Sequence, residues 1–231
     1  MFITDYPLWK VTSLGVGGPA DLFARPSSAW EIGQVQRYAA EMNLPLTIIG
    51  YGTNLLIRDG GIRGVVMQIA DRFATAKVEG SILKATTGCL MGSLSKLALC
   101  HGLSGLEFAV GIPGGLGGAT FMNAGAYGGE IGPLIRNVQF VQNGTIGNWN
   151  RDEFHYAYRS SRLQEETDKA IVTQVEMELT FKERAGILAE MNDLQDQRRS
   201  KQPLEYPSAG STFKRPSGHF VGPMLERAGL K

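Results

Sequence analysis

The chain has few cysteines and histidines, and its charges nearly cancel. Its two cysteines, Cys89 and Cys100, cannot frame a disulfide scaffold and form no CxxC pair, which is typical of a reducing compartment such as the cytoplasm. The histidines, His101, His155 and His219, lack the paired spacing of a zinc site. The 23 Lys and Arg residues against 22 Asp and Glu give a net charge of +1, so we expect no nucleic-acid or membrane partner.

Long apolar segments are also missing. The longest uncharged run, from Phe108 up to Glu130, is roughly one-third glycine and contains Pro113 and Asn123, so it predicts a packed loop rather than a membrane span. The opening MFITDYPLWK lacks the basic and apolar regions of a signal peptide. At 231 residues, the chain has room for one large domain or two small ones.

Local patterns in the first half predict mixed helices and strands. Ser28 and Glu31 form a capping box that begins a predicted helix over 28–42. The apolar face of this helix consists of Ile32, Val35, Ala39 and Met42. Short apolar runs at 46–50 and 64–69 predict two buried strands, so the loop between them leaves from the edge of a sheet.

The second half continues in the same way. A helix is predicted over 91–101, ended by Gly102, and Asn143-Gly144 predicts a hairpin turn. Alternating residues predict a half-buried strand over 170–181, followed by a polar helix over 182–199. The buried face of the strand is predicted to consist of Ile171, Thr173, Val175, Met177, Leu179 and Phe181. We place a domain boundary near residue 182.

Glycine is abundant, with 30 residues, and two glycine-rich loops stand out. In the first, Gly50–Leu56 (the 50–56 loop), small residues let successive main-chain N–H groups converge on an anion. This loop lacks the third glycine of the Rossmann fingerprint, because Leu55 occupies that place. An ordinary surface turn therefore remains an alternative.

The second loop, Gly111–Gly129 (the 111–129 loop), is several times longer than an ordinary connection. So many glycines without a repeat carry an entropic cost, which is explained if the backbone must closely approach a large planar or phosphorylated ligand. A string of turns between strands is the alternative explanation.

The sequence resembles the UDP-N-acetylenolpyruvoylglucosamine reductases of bacterial cell-wall synthesis. The matching segments are 16–21 (VGGPAD), 50–56 (GYGTNLL), 103–107 (LSGLE), 111–114 (GIPG), 122–130 (MNAGAYGGE), 158–161 (YRSS) and 201–216 (KQPLEYPSAGSTFKRP). The departures are modest: Gly115 and Leu116 stand where the family more often has Thr and Val, and Thr53 replaces a common Ser. The resemblance covers the whole chain.

This resemblance implies an α+β protein with the vanillyl-alcohol-oxidase type of FAD-binding fold. Two FAD-binding subdomains are expected at 1–67 and 68–182, and an incomplete α/β substrate-binding domain at 183–231. The chain passes directly from Tyr158-Arg159 into the strand at 170–181, which matches the shorter subclass without the extra substrate loop. Non-covalent FAD and NADPH are the implied cofactors, with NADPH using the substrate's own pocket.

The resemblance also assigns residues to the ligands. Residues expected to bind FAD are Tyr51, Gly52, Thr53, Asn54, Leu55, Gly111, Ile112, Pro113, Gly114, Gly118, Ala119, Asn123, Gly125 and Ala126. Residues expected to bind the sugar-nucleotide substrate are Tyr158, Lys201, Lys214 and Arg215. For the three cations, a solvated charged loop is the alternative.

Two residues are expected to carry the chemistry. Hydride addition to the enolpyruvyl group leaves an enolate, and the planar guanidinium of Arg159 suits its carboxylate. Ser211 matches the family's proton donor to carbon. Taken without the resemblance, Arg159 is a surface arginine and Ser211 a turn serine.

Other functions also remain open. One is an oxidase of the same fold with flavin attached covalently through His or Cys, and another is a nucleotide-binding module without turnover. In the family, residues beyond the helix that contains Glu226 supply a further catalytic glutamate. We therefore expect this chain to bind FAD but to turn over its substrate poorly.

Overall fold

The computed structural model describes residues 2–164 and 170–230. The strands are β1 Ile3–Pro7, β2 Pro19–Ala24, β3 Leu46–Ile49, β4 Ile62–Gln68, β5 Ala76–Glu79, β6 Ile82–Thr86, β7 Leu103–Ser104, β8 Gly125–Ala126, β9 Gly129–Glu130, β10 Ile135–Gln142, β11 Thr145–Asn150, β12 Ile171–Glu178 and β13 Thr180–Phe181. The α-helices are α1 Ala29–Glu41, α2 Met91–Cys100, α3 Leu116–Phe121, α4 Arg184–Lys201 and α5 Val221–Arg227.

The N-terminal sheet has the strand order β1-β2-β4-β3. β1 pairs antiparallel with β2, while β4 lies parallel to both β2 and β3. Its core contains Leu8, Ala20, Phe23, Ile49, Ile57 and Val66. As predicted, the 50–56 loop leaves the edge strand β3 and leads towards β4.

Helix α1 begins as its capping residues predict. Ser28 is the N-cap, and its Oγ accepts the Glu31 N–H at 3.1 Å. The Glu31 carboxylate reaches back one residue further than a capping box requires, to the Ser27 N–H at 2.6 Å, and this bond lowers the pKa of Glu31. Ile32 and Ala39 are buried as expected, but Met42 is 57% exposed because the helix ends at Glu41.

The second sheet is antiparallel throughout, in the order β11-β10-β12-β6-β5. The Asn143-Gly144 hairpin is confirmed between β10 and β11, with positive φ angles of 50° and 80° at the two turn residues. One face of the sheet packs on α2, α3 and the surrounding loops in the largest hydrophobic core. A smaller cluster, which includes Ile32, Met67 and Val141, joins the two sheets.

The strand predicted over 170–181 is divided in the structure. β12 ends at Glu178, and β13 leaves the large sheet to pair with β7. The prediction that Phe181 faces the core is wrong, since the side chain is 72% exposed. The interior residues through Leu179 are buried as predicted.

The segment predicted as packed loop, Phe108 to Glu130, contains regular structure. Helix α3 and the short β8-β9 pair both lie within it. The prediction of loop throughout is therefore wrong, and the helix forms although Gly117 and Gly118 have poor helix propensity. Its first residues are anchored by the Leu116 and Gly117 N–H groups, which donate to the carbonyls of Cys89 and Thr87 at 2.8 and 2.9 Å.

Helices α2 and α4 follow the predictions closely. α2 ends before Gly102, which has a φ of 65° and donates its N–H to Leu99. Ile187 and Met191 of α4 are buried, and Met191 contacts the Ser95 hydroxyl of α2. Residues 202–220 and α5 are mostly exposed. The division at 1–67, 68–182 and 183–231 remains a prediction.

Across residues 2–164 and 170–230, no helix is both long and apolar enough to cross a bilayer.

Candidate active site

The two glycine-rich loops contact each other. The Thr53 hydroxyl donates to the Pro113 carbonyl at 3.1 Å, and the Tyr51 hydroxyl donates to the Gly88 carbonyl at 2.8 Å. A Cβ atom at Gly114 would lie 2.7 Å from the Thr53 Oγ1, and one at Gly115 would lie 3.1 Å from the Tyr51 ring. These glycines are therefore needed partly so that the loops can approach each other.

Gly52 fixes the start of the 50–56 loop. Its φ is 63°, and a Cβ atom there would lie 2.1 Å from the Val11 carbonyl oxygen. The Gly52 carbonyl accepts the Ser13 N–H at 3.1 Å. The loop is thus held against residues 11–13 at a position that only glycine occupies without strain.

Both loops present unused main-chain donors. Within residues 2–164 and 170–230, no acceptor within hydrogen-bond distance takes the main-chain N–H groups of residues 51–54, Gly114, Gly115 or Gly118. Gly118 is exposed, and a Cβ atom there would meet no heavy atom within 4 Å. A run of free N–H groups in glycine-rich turns is suited to the oxygens of a diphosphate. The residues present therefore fit a dinucleotide cofactor.

Burial raises the pKa of the Tyr51 hydroxyl, and the negative charge of Asp71 adds to this effect. The phenol consequently stays protonated at neutral pH and keeps its hydrogen bond to Gly88. The uncharged Tyr51 side chain thus connects the 50–56 loop to Gly88, which precedes α2, through a hydrogen bond.

Asn123 is the centre of a buried network in the 111–129 loop. It is 2% exposed with a φ of 43°. Its Nδ2 donates to Glu130 Oε2 at 3.0 Å and to the Ala157 carbonyl at 2.9 Å, and its Oδ1 accepts the Gly132 N–H at 2.9 Å. The side chain therefore serves the protein itself, and its contact with a cofactor remains a prediction.

Arg159 is built into the same network rather than lying free on the surface. Its Nη1 donates to the Asn123 carbonyl at 3.0 Å and its Nη2 to the Gly125 carbonyl at 2.7 Å. The Glu130 carboxylate lies 4.0 Å from Nη1, and the side chain of Arg159 is 28% exposed. Each terminal nitrogen keeps a second N–H, so the guanidinium can still bind an incoming carboxylate.

The residues just before Ser211 lie next to the 50–56 loop. A Cβ atom at the preceding residue, Gly210, would lie 3.5 Å from Asn54 Nδ2, and the Ser208 carbonyl accepts the Ser13 hydroxyl at 2.5 Å. Within residues 2–164 and 170–230, no hydrogen bond joins Ser211 to Arg159.

The other predicted FAD contacts line the same loops. Leu55 and Ile112 pack at the edges of the two cores, and Ala119 is buried in α3. Gly125 and Ala126 form β8. Gly111 is covered by a residue that the sequence did not indicate: a Cβ atom there would lie 2.9 Å from Arg198 Cδ of α4.

The predicted substrate residues are more dispersed. Tyr158 is exposed, and its ring lies 5.0 Å from the Arg159 guanidinium. Lys201 ends α4 and Lys214 is exposed, while Arg215 donates to the His219 carbonyl at 2.9 Å and covers the Phe220 ring. In the described part of the chain, none of the three cations makes a hydrogen bond to either glycine-rich loop.

The sequence alone indicates no role for Ser13 or Glu130. Glu130 lies within a matched segment. Its contact with Arg159, however, joins two residues that are 29 positions apart in the chain. Ser13 contacts a segment separated from it by 195 positions. Nothing local in the sequence signals such contacts.

Comparison with known proteins identifies the family. A family model described as "FAD binding domain" matches residues 20–145. The UDP-N-acetylenolpyruvoylglucosamine reductase of Syntrophomonas wolfei is 44% identical over 227 residues, covering 97% of this chain and 75% of that protein. The reductase of Levilactobacillus brevis is also 44% identical, over 230 residues that cover 99% of this chain and 75% of the relative.

Solved structures agree. The UDP-N-acetylenolpyruvylglucosamine reductase of Thermus caldophilus superposes with a TM-score of 0.83 at 31% identity, covering 100% of this chain and 80% of that one. The 6-hydroxy-D-nicotine oxidase of Arthrobacter nicotinovorans gives a TM-score of 0.53 at 22% identity, covering 70% of this chain and 37% of that one, which shows the fold alone. The predicted vanillyl-alcohol-oxidase type of FAD-binding fold is confirmed. From this identity over nearly all of its length, the chain belongs to the UDP-N-acetylenolpyruvoylglucosamine reductase family.

Proposed function

We propose that the protein reduces the enolpyruvyl double bond of UDP-N-acetylglucosamine enolpyruvate to give UDP-N-acetylmuramate, a precursor of peptidoglycan. The observation that carries this proposal is the attachment of Arg159 to the 111–129 loop through the Asn123 and Gly125 carbonyls. The candidate catalytic cation is thereby fixed to the same loop that supplies cofactor donors.

FAD is held by the two loops without a covalent bond. The free N–H groups of residues 51–54, Gly114 and Gly118 are the donors suited to its diphosphate. When bound, the flavin takes a hydride from NADPH and passes it to the enolpyruvyl group. The hydrogen bond from Thr53 to Pro113 fixes the separation between the N–H donors of one loop and those of the other.

Arg159 binds the carboxylate of the enolpyruvyl group. When hydride reaches the β-carbon, the π electrons of the double bond move to the α-carbon and spread into this carboxylate. Each terminal nitrogen has a second N–H that can donate to this carboxylate, and the carbonyls of Asn123 and Gly125 hold the guanidinium in place.

Ser211 then gives its hydroxyl proton to the α-carbon, which completes the saturated lactyl ether. The serine alkoxide regains a proton from solvent. A positioned donor is required because proton transfer to carbon depends strongly on distance and orientation.

The sugar nucleotide is the small-molecule substrate, and its diphosphate binds to Lys201, Lys214 and Arg215. Tyr158, which is exposed beside Arg159, also contacts the substrate. Exposed cations on the segment that carries Ser211 support this assignment. NADPH uses the same cations before the substrate enters. The reaction belongs to the cytoplasm, where both nucleotides are available.

An anaerobic titration tests the proposal. The protein is loaded with FAD, separated from free flavin, and mixed with NADPH while the flavin absorbance is followed. We expect the flavin to co-purify, to be bleached by NADPH, and to be released when the protein is denatured. Failure to retain FAD would overturn the proposal, and flavin that stays with the denatured chain would indicate a covalent oxidase instead.

A further inference from the structure

Ser13 lies between the 50–56 loop and the segment that leads to Ser211. Its N–H and its Oγ both approach the Gly52 carbonyl, at 3.1 and 3.2 Å. Its Oγ also lies 2.5 Å from the carbonyl of Ser208. One exposed serine thus bridges two parts of the candidate site.

The distances decide which carbonyl receives the hydroxyl hydrogen. A serine hydroxyl donates only one hydrogen, and the Gly52 carbonyl already accepts the Ser13 N–H. The Ser208 carbonyl is also much the nearer acceptor. The hydroxyl therefore ties residue 208 to a loop that is itself fixed to the candidate cofactor site.

The tie determines the position of the residues that follow. The Ser208 Oγ accepts the Gly210 N–H at 3.1 Å, which closes a tight turn, and Gly210 has a φ of 73°. Gly210 in turn faces Asn54. Ser211 itself is exposed, and within residues 2–164 and 170–230 its side chain makes no hydrogen bond that would hold it.

We propose that Ser13 is a positioning residue, which holds the turn at 208–210 against the 50–56 loop and so sets the distance from Ser211 to the carbon it protonates. The inference rests on the proposed function. It predicts that Ser13 affects proton delivery and leaves the transfer of hydride from NADPH unchanged, because only proton delivery uses Ser211.

Three variants separate this role from a general structural one. Ser13→Ala removes the hydroxyl, whereas Ser13→Thr keeps a hydroxyl at this exposed position. Thr12→Val is the matched control, because the Thr12 hydroxyl bonds within its own turn to the Val16 carbonyl at 2.8 Å and, in the described part of the chain, makes no hydrogen bond to residue 208. Thermal melting of all three checks that they fold.

The first measurement is amide hydrogen exchange at Gly210, whose N–H donates to the Ser208 hydroxyl, and it requires no turnover. We expect exchange there to be about tenfold faster in Ser13→Ala, to return to the wild-type rate in Ser13→Thr, and to be unchanged in Thr12→Val. Wild-type protection in Ser13→Ala would overturn the proposal.

The second measurement compares the two half-reactions by stopped flow. We expect Ser13→Ala to bleach with NADPH at the wild-type rate and to be reoxidised by the enolpyruvyl substrate about tenfold more slowly, with rescue in Ser13→Thr. Equal slowing of both halves, or faster exchange with normal reoxidation, would show that Ser13 is only structural. If the wild-type flavin is not reduced at all, the proposed function fails. The exchange result still decides whether the Ser13 hydroxyl holds residue 208.

Discussion

The Thr53 hydroxyl donates a hydrogen bond of 3.1 Å to the carbonyl of Pro113, and this bond joins the two glycine-rich loops. Thr53 lies between strands β3 and β4 of the N-terminal sheet, whereas Pro113 lies between β7 and α3. The bond therefore fixes the separation of the two sets of N–H donors on which the candidate cofactor site depends.

Thr53→Val should weaken FAD binding. The variant keeps the shape of the side chain but loses a neutral hydrogen bond worth about 1 kcal/mol, so we expect the dissociation constant to rise about fivefold. Quenching of flavin fluorescence on titration measures this. Thr53→Ser is the matched control and should bind as the wild type does; equal weakening in both variants would contradict the assigned role of the bond.

Gly52→Ala should destabilise the fold. Its φ of 63° and the 2.1 Å approach to the Val11 carbonyl leave no room for a methyl group. We expect a loss of about 2 kcal/mol or more in the free energy of unfolding, measured by urea denaturation. Gly60→Ala is the control because a Cβ atom there meets nothing within 4 Å, and a comparable loss in that variant would refute the explanation.

Arg159→Lys should retain FAD and be reduced normally by NADPH. The ammonium group cannot hold the Asn123 and Gly125 carbonyls and a carboxylate in one plane. We therefore expect reoxidation by the enolpyruvyl substrate to slow by about tenfold or more. Stopped-flow absorbance resolves the two steps, and an unchanged reoxidation rate would remove Arg159 from the proposed chemistry.

Glu31 predicts a pH dependence of stability. Its pKa is lowered in the folded state, first by the Ser27 N–H and then by the Ser27 hydroxyl. A depressed pKa adds stability above the unfolded-state value of about 4.3, and that contribution is lost as the pH falls through the folded-state pKa.

The stability difference between the wild type and Glu31→Gln should therefore be present at neutral pH and shrink below about pH 4.3. Urea denaturation across this pH range gives the difference. Glu41→Gln, at the other end of α1, is the control. A difference that stays constant down to pH 3 would show that the contact with Ser27 is not electrostatic.

Local chemistry explains which elements could be predicted from the sequence. The start of α1, the end of α2 and the Asn143-Gly144 turn depend on neighbouring residues, and the structure confirms them. Phe181 was misplaced because β13 pairs with β7 instead of continuing β12, a choice made by residues far away in the chain. Helix α3 was missed because its start is held by the carbonyls of Thr87 and Cys89 rather than by its own sequence.

The candidate site also has parts that the sequence predicts and parts that depend on distant residues. The glycine-rich loops were visible in the sequence because their composition is unusual. Their contact through Thr53, the attachment of Arg159 to Gly125 and the tie from Ser13 to Ser208 depend on tertiary structure. Only the folded chain shows these three contacts.

A single-turnover experiment tests the central claim most directly. The FAD-loaded protein is reduced anaerobically with one equivalent of NADPH, and then mixed with UDP-N-acetylglucosamine enolpyruvate or, separately, with UDP-N-acetylglucosamine. Because one turnover is followed to completion, slow chemistry does not obscure the result. We predict that the enolpyruvyl compound restores the oxidised flavin spectrum in one-to-one stoichiometry and that the sugar nucleotide without the double bond leaves the flavin reduced. Reoxidation by neither compound, or by both equally, would contradict the account.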